Sequence, residues 1–304
     1  MKHKPIEVTP HLFQLGTPSF PVYLSMGDEG MIIEGGTGAT FDIIVSQLDY
    51  LGISPESIRA IALTHTHADH VGAVPRFRKI WPHIEVVAGT VAGKFLQKER
   101  FTGDFLPADK MISDLLLEKG DIKEAPRQLD EYAFQPDKIL EEDETIDLGQ
   151  GIRWCILNTP GHSPCQISLL ETKEGSLAIG DSTGYYDPDR DVFWPNYFQS
   201  LGLYCDSIRK LSGLSAQRIL ISHNGVINGD PHAYLNKAIK ATEAYHLDIL
   251  RRLDKGDDPK QICKDTADWI VSIGALATYD ILTFLSKLLL KNSEKERDSV
   301  HFSI

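Results

Sequence analysis

The chain has 304 residues, of which 42% are hydrophobic and 24% are charged, as in ordinary folded globular proteins. Its formal net charge of −12 disfavours nucleic acid as a partner, because an acidic surface repels phosphate backbones. No apolar run approaches the ~20 residues of a membrane-spanning helix, and the first residues lack the apolar segment of a signal peptide. We therefore expect a cytoplasmic protein whose partners include neither membrane nor nucleic acid.

The N-terminal third predicts a β-rich start, a helix and then a buried strand. Short strands are predicted at 12–15, 22–26 and 31–33, with a turn at 27–30. Apolar residues at helical spacing predict a helix over 41–51, and Gly52 is suited to end it. The continuous apolar run at 58–63 predicts the buried strand, and a further strand follows at 84–88.

An H-x-H-x-D-H motif, formed by His65, His67, Asp69 and His70, follows the buried strand directly. Residues two apart in an extended segment point the same way, so His65 and His67 would face one point. Asp69 and His70 follow as the chain turns and would face a second point nearby. Imidazole suits zinc, iron, nickel and copper, and carboxylate suits harder ions, so the motif predicts one metal with a second beside it. The alternative is a polar turn in which the three histidines occur by chance.

The segment from about 91 to 136 is charged, with scattered large apolar residues, and predicts two amphipathic helices. It is either an ordinary surface insertion or a cap over the site, in which aromatic residues line a substrate channel. The aromatic candidates are Phe95, Phe101 and Phe105.

Three later strand ends deliver further residues of the metal-ligand type. Strands are predicted at 145–148, 152–157, 166–170, 176–179 and 218–221. His162, Asp181 and His223 each follow one of them. Because ligands in α/β sheets bind at the ends of strands that share an edge, we expect these three residues to meet the histidine motif. The other six histidines do not follow this rule and are assigned to the surface or the core.

The C-terminal part predicts mainly helices. One is expected near 198–211, and three between His232 and about Lys291, broken near Gly256 and Gly274. Their amphipathic pattern fits either a cover over the site or the face of a homodimer. The charged tail from Asn292 to Ile304 is expected to fray.

The four cysteines form no C-x-x-C pair, which predicts free thiols rather than a disulfide framework or a thiolate metal site. Cys165 lies three residues after His162 and is a candidate for the border of the site.

Taken in order, these motifs resemble the metallo-β-lactamase-fold hydrolase superfamily from about residue 10 to about 228. The H-x-H-x-D-H motif, the turn Pro160-Gly161-His162-Ser163, Asp181 after a glycine and His223 at a strand end all match. The resemblance implies an α/β (α+β) fold, a four-layer αβ/βα sandwich with a C-terminal helical extension and a dinuclear site at one edge. The implied domains are a catalytic domain over 1–230, with a cap at about 91–136, and a helical extension over 231–304 packed on the same domain.

The resemblance also implies two divalent metal ions per chain, zinc first, with iron or manganese as alternatives. His65, His67 and His162 would hold the first metal, and Asp69, His70 and His223 the second, with Asp181 bridging both. Because His67 stands where the diiron oxidoreductase branch carries Glu, that branch is disfavoured. Glu34 stands where many members carry Asp; it either supports a metal ligand from behind or acts as a cap before a helix.

Within the superfamily the chain is similar to the quinolone-signal-response thioesterases and glyoxalase II-like hydrolases. The shared traits are a Glu-Gly-Gly after an early strand, the charged insertion and the helical C-terminus. This implies a hydrolase in which hydroxide held between two metals attacks the carbonyl of an acyl-CoA or acyl-glutathione thioester, with Asp69 accepting the proton. Tyr185 or Tyr186 would contact the substrate and donate to the oxyanion or leaving group, unless both only pack under the cap.

Three alternatives remain open. A lactonase of the acyl-homoserine-lactone type would release no thiol. A mononuclear iron persulfide dioxygenase needs only two histidines and one aspartate, and the complete second ligand set disfavours it. A non-enzymatic ligand sensor would keep the metal site only as a relic.

Overall fold

Two β-sheets packed face to face form the centre of the fold, in a computed structural model that describes residues 2–98, 103, 105–129 and 132–304. The first sheet has seven strands in chain order, antiparallel from β1 to β4 and parallel from β4 to β7. They are β1 (Ile6–Thr9), β2 (Leu12–Gly16), β3 (Pro21–Met26), β4 (Gly30–Ile33), β5 (Ile58–Leu63), β6 (Glu85–Gly89) and β7 (Lys138–Leu140).

The second half of the chain forms a six-stranded sheet in the order β15-β14-β11-β10-β9-β8, together with a separate antiparallel pair, β12 and β13. The strands are β8 (Thr145–Asp147), β9 (Arg153–Asn158), β10 (Ile167–Glu171), β11 (Ser176–Ala178), β12 (Tyr185–Asp187), β13 (Val192–Trp194), β14 (Arg218–Leu220) and β15 (Val226–Ile227). β11 and β14 are parallel, so the loops that follow them leave the sheet at the same edge.

Helices cover the outer faces of both sheets. The described helices are α1 (Phe41–Leu51), α2 (Ala68–Val71), α3 (Val74–Ile80), α4 (Thr90–Leu96), α5 (Phe105–Glu118), α6 (Leu201–Ser212), α7 (Pro231–Asp254), α8 (Pro259–Ser272) and α9 (Tyr279–Lys295). α1 ends at Gly52, as predicted, because its φ of 67° is left-handed and costs glycine little.

Three hydrophobic cores separate the layers. Ile44 of α1 and Phe77 of α3 pack with the first sheet, and Ile208 of α6 and Ile239 of α7 pack with the second. The core between the sheets contains Trp154, which is fully buried and whose Nε1 donates to Ser25 Oγ at 2.9 Å. The succession helix, sheet, sheet, helix is the four-layer αβ/βα sandwich that the family resemblance implied.

Most predicted elements are found, and the differences concern short strands. β1, β7, β12, β13 and β15 were not predicted individually; all but β1 have only two or three residues, too few to show an alternating pattern. β15 follows the strand at 218–221, which was the last strand predicted from the sequence. The predicted helices of the insertion correspond to α4 and α5.

The C-terminal tail is docked, and the expectation that it would fray is wrong. Asn292 Nδ2 donates to the carbonyl oxygens of Tyr197 and Phe198 at 2.8 and 3.0 Å. The Glu296 carboxylate accepts hydrogen bonds from the first N–H groups of α6, where its negative charge also interacts favourably with the helix dipole. Within the described ranges, no helix combines the length and the apolar character needed to cross a bilayer. All four cysteines are free thiols, as predicted.

Candidate metal centre

Four loops at strand ends bring the predicted ligand residues together. His65 to His70 follow β5, His162 lies between β9 and β10, Asp181 follows β11, and His223 follows β14. Three groups among them place their ligand atoms within 4.8 Å of one another. The groups are His65, His67 and His162; His65, His70 and Asp181; and Asp69, His70 and His223.

The first cluster consists of three imidazoles that face one another. Nδ1 of His67 lies 3.0 Å from Nε2 of His65 and 3.0 Å from Nε2 of His162. The outer nitrogen of His162, Nδ1, lies 3.0 Å from the carbonyl oxygen of Asn196 and therefore carries the proton. Nε2 of His162 then presents a lone pair to the cluster.

His65 is oriented in the same way. The Thr64 hydroxyl donates to Glu34 Oε1 at 2.7 Å, so its oxygen is left to accept from His65 Nδ1, 3.1 Å away. Nε2 of His65 therefore also presents a lone pair. Lone pairs that converge in the interior repel one another unless a cation lies between them, which is the arrangement of a metal site.

The second cluster joins Asp69, His70 and His223. Asp69 Oδ2 lies 3.3 Å from Nε2 of His70 and 3.6 Å from Nε2 of His223. The outer nitrogen of His223, Nδ1, faces the carbonyl oxygen of Ser19 at 2.9 Å, which again leaves Nε2 for the cluster.

Asp181 lies between the two clusters. Its Oδ2 is 3.5 Å from Nε2 of His162 and 3.6 Å from Nε2 of His70, and its Oδ1 is 3.6 Å from Nε2 of His223. Among the described residues, His70 Nε2 and Asp181 Oδ1 are buried and have no hydrogen-bond partner. Because unpaired buried polar atoms are costly, two such atoms within a ring of ligand-type groups fit a bound cation.

The pKa values follow from burial and from the neighbouring charges. Burial and the other histidines hold the pKa of His65 well below its usual value, and burial lowers the pKa of His162 to about 3. Burial opposes ionisation of Asp181, but His223 and His70 outweigh it and hold the pKa of Asp181 well below its usual value. Burial opposes protonation of His70 and His223, but the carboxylates of Asp69 and Asp181 outweigh it and raise the pKa of both histidines above the usual value. Neutral imidazoles and ionised carboxylates are the forms that ligate metals, so metal binding at the second cluster would displace the protons of these two histidines.

Glu34 supports the centre from behind. Its Oε1 accepts from the hydroxyls of Thr64 and Ser222 at 2.7 and 2.9 Å, and its Oε2 lies 3.2 Å from Nδ1 of His70. The alternative role as a helix cap is wrong, because Thr37 is the N-cap of the short helix that follows. Thr64 and Ser222 were missed, although each directly precedes a strand-end histidine.

A cavity of about 260 Å³ opens over the two clusters. One wall comes from α5 of the insertion, through Ala108, Met111 and Ile112, and another from residues 274–277 and α9. The insertion and the C-terminal helices therefore both border the cavity.

Neither Phe95 nor Phe105, the two aromatic candidates in the described part of the insertion, lines the cavity. The ring of Phe105 is buried with Tyr132 in the first core, and Phe95 packs against the same core, so the expected aromatic lining is wrong for these two residues. Phe101 lies outside the described residues. The aromatic rings that line the cavity come from other elements and belong to Phe20, Tyr185, Trp194 and Phe198.

The structure separates the two candidate tyrosines. The Tyr185 ring lines the cavity, 6.0 Å from the ring of His223, and its hydroxyl donates to the carbonyl of Ile273 at 3.4 Å. Tyr186 does not line the cavity: its hydroxyl donates to Asp191 at 2.8 Å, because alternate residues of β12 point to opposite faces. Cys165 is buried between the ligand loops, beside Thr66 and Ser163, and does not line the cavity.

Comparison with known proteins identifies a family and several relatives of this chain. The model of the Metallo-beta-lactamase superfamily matches residues 18–223. The "Probable metallo-hydrolase YqjP" of Bacillus subtilis is 27% identical over 249 residues, which are 77% of this chain and 76% of that protein. A shorter match, to the "Hydroxyacylglutathione hydrolase" of Legionella pneumophila, is 26% identical over 126 residues, 41% of this chain and 34% of that protein.

The archaeal protein ST1585 is similar in both sequence and structure. The "Metallo-beta-lactamase fold-containing protein ST1585" of Sulfurisphaera tokodaii is 26% identical over 228 residues, 72% of this chain and 79% of that protein. The crystal structure of ST1585 superposes with a TM-score of 0.57 at 19% identity, covering 94% of this chain and 99% of that chain. Since the family model spans most of the chain and the fold agrees, this chain belongs to the metallo-β-lactamase superfamily.

Proposed function

We propose that this chain is a dinuclear metal-dependent hydrolase that cleaves a thioester of the acyl-CoA or acyl-glutathione type. The observation that carries the proposal is the position of Asp181 between two clusters of ligand-type side chains. Relatives named metallo-hydrolases support hydrolysis, and the relative named hydroxyacylglutathione hydrolase supports an acyl-thiol substrate.

Two divalent ions, when bound, would supply a water activated near neutral pH and a Lewis acid for the substrate carbonyl. His65, His67 and His162 would hold one ion, Asp69, His70 and His223 the other, and Asp181 both. Zinc fits this nitrogen and oxygen donor set, as do iron and manganese.

Three features of the protein would assist the reaction: the carboxylate of Asp69, the side chain of Glu34 and the apolar walls of the cavity. Asp69 lines the cavity, and although burial opposes its ionisation, His70 and His223 hold its pKa below the usual value. As a carboxylate it is placed to accept a proton from an attacking water. Glu34 fixes the ring of His70, and the apolar walls of the cavity limit bulk water, which strengthens the electrostatic interactions inside.

The first test is the metal content per chain, measured by elemental analysis on protein purified without chelator. We expect two metal ions per chain and a marked decrease in Asp181→Ala. The matched control is Asp189→Ala, which removes an exposed carboxylate outside the clusters and should keep both ions. Metal-loaded protein is then assayed for thiol release from acyl-CoA and acyl-glutathione.

Specific results would overturn the proposal. A single iron per chain, unchanged in His223→Ala, together with oxygen consumption on a thiol persulfide, would identify a persulfide dioxygenase. Turnover of lactones without any release of thiol from thioesters would identify a lactonase. Fully loaded protein that turns over none of these substrates would favour a ligand sensor.

A further inference from the structure

The cavity over the metal centre has an unusual distribution of charge. Among the described residues, its charged lining groups all belong to the ligand clusters, and neither lysine nor arginine lines it. The remaining walls are largely apolar, with Met111 and Ile112 on α5 facing Leu276, Ile281 and Leu285. Two cations lie just outside this lining. Lys119 Nζ donates to Oγ of Ser19, a lining residue, at 2.8 Å, and Arg190 Nη1 donates to the carbonyl oxygen of Ile273 at 3.3 Å and is paired with Asp187.

This lining determines which part of a thioester can enter. The CoA and glutathione parts carry negative charges, and burying an anion without a cation to pair it is strongly unfavourable. The net charge of −12 adds no long-range attraction for such a group. The thiol part therefore stays at the mouth of the cavity, and the acyl part occupies it.

The volume limits the size of the acyl part. An engineered apolar cavity of about 150 Å³ binds benzene, whose ring has six carbons. By the same measure, the cavity of about 260 Å³ has room for about ten carbon-sized groups, including the thioester carbonyl at the ligand clusters. A short hydroxyacyl group would leave most of this apolar surface unfilled and would place a hydroxyl against it.

On the basis of the hydrolase proposed above, we infer that the cavity is a binding site for an uncharged, apolar acyl group of about six to nine carbons. Each methylene added up to this length buries more apolar surface. Binding should therefore strengthen about fourfold per methylene and then stop improving when the cavity is full.

Two lining side chains can be used to change the volume of the cavity. Ala277, in the turn between α8 and α9, lines the cavity, and Ala277→Leu would fill part of it. Met111 on α5 also lines the cavity, and Met111→Ala would enlarge it. Ala233→Leu is the matched control, because Ala233 is exposed on α7 and does not line the cavity.

The test combines a binding series and a turnover series on metal-loaded protein. S-alkyl-CoA thioethers with two, four, six, eight and twelve carbons cannot be hydrolysed, so calorimetric titration measures their binding alone. Thiol release from the corresponding acyl-CoA thioesters gives kcat/KM. Succinyl-CoA is compared with butyryl-CoA, since the two have the same carbon skeleton and differ in one carboxylate.

We expect the dissociation constant to fall about fourfold per methylene until about eight carbons, and kcat/KM to follow it. Ala277→Leu should shift the optimal acyl chain length to chains about three carbons shorter, and Met111→Ala should shift it to longer chains. Ala233→Leu should leave the optimal chain length unchanged. Succinyl-CoA should be at least tenfold poorer than butyryl-CoA.

Two kinds of failure are distinguishable. Thioether affinities that do not depend on chain length, or an equal preference for succinyl- and butyryl-CoA, would overturn the acyl site. Length-dependent thioether binding without any thioester turnover would keep the acyl site and overturn the proposed thioesterase.

Discussion

The carboxylate of Glu34 faces the imidazole of His70 in the protein interior, with Glu34 Oε2 3.2 Å from His70 Nδ1 and both side chains at most 4% exposed. The same carboxylate accepts the Thr64 hydroxyl, which in turn orients His65. One buried acid therefore lies beside one imidazole of each candidate metal cluster, directly for His70 and through Thr64 for His65, although it lies 30 residues or more before both in the chain.

Glu34→Gln keeps the shape of the side chain but removes the charge behind His70. We expect metal affinity to fall about 10- to 100-fold, because a carboxylate behind a ligating imidazole raises its basicity and fixes its orientation. Chelator competition measures the affinity. Glu29→Gln, at an exposed glutamate paired with Arg59, should leave it unchanged, and equal affinities for the two variants would contradict a supporting role for Glu34.

Removal of metal should destabilise the folded protein. Asp69 and Asp181 are buried among imidazoles, so a bound cation balances charges that the fold otherwise brings together at a cost. At free metal about 100 times the dissociation constant, binding at one site contributes about 2.7 kcal/mol, which corresponds to about 4 °C in Tm for a chain of this length. Thermal unfolding with and without chelator measures the shift, and Asp181→Ala should show a smaller one. A chelator-independent Tm would count against metal binding.

Gly161→Ala should disturb the turn that carries His162. Gly161 has a φ of 131°, and an added Cβ would lie 2.3 Å from the backbone of Tyr204. We expect a loss of about 2–4 kcal/mol in the free energy of unfolding, from strain and overpacking. Gly256→Ala measures the cost of a positive φ without a steric clash, because Gly256 also has a positive φ but has open space around it. We expect this variant to lose about 1 kcal/mol in the free energy of unfolding. Equal losses would mean that the contact with Tyr204 relaxes freely.

Asp109→Asn should change the dependence of stability on pH. Burial raises the pKa of Asp109, despite the hydrogen bond that its carboxylate accepts from the Gly38 N–H. The folded state thus holds this proton more tightly than the unfolded state, whose pKa is about 3.9. The contribution of Asp109 to stability therefore falls as the pH rises from about 4 through its raised pKa.

The asparagine variant lacks this titration, so its free energy of unfolding should increase relative to wild type between about pH 4 and 7. Denaturant unfolding at a series of pH values measures the difference. Asp114→Asn replaces an exposed aspartate of the same helix. The free energy of unfolding of this variant should depend on pH as that of wild type does. If the free energy of unfolding of Asp109→Asn differed from that of wild type by the same amount at every pH, this would contradict a raised pKa for Asp109.

Tyr185→Phe separates a packing role from a catalytic one. Because the Tyr185 hydroxyl donates to the carbonyl of Ile273, we expect kcat to change less than threefold and KM to rise modestly as this turn loosens. Tyr186→Phe, whose hydroxyl contacts Asp191 away from the cavity, should leave both constants unchanged. If Tyr185→Phe alone slowed turnover by about 100-fold or more, the phenol would instead be assigned to the oxyanion or leaving group.

Local sequence patterns predicted many of the helices and strands and the set of candidate ligand residues. The continuous apolar run of β5, the spacing of α1 with Gly52 after it, and the breaks at Gly256 and Gly274 are signals over a few residues, and each predicted its element. The H-x-H-x-D-H motif and the three later strand-end residues predicted which side chains would meet, because strands that share an edge place their ends together.

Only the tertiary structure decided what depends on packing between distant segments. It placed Glu34 against His70 and separated Tyr185 from Tyr186. It also docked Glu296 on α6 and brought residues of α5 and α9 to the lining of one cavity. None of these relationships has a local signal, since each depends on which surfaces of separate elements bury each other, and that is settled by the free energy of the whole fold.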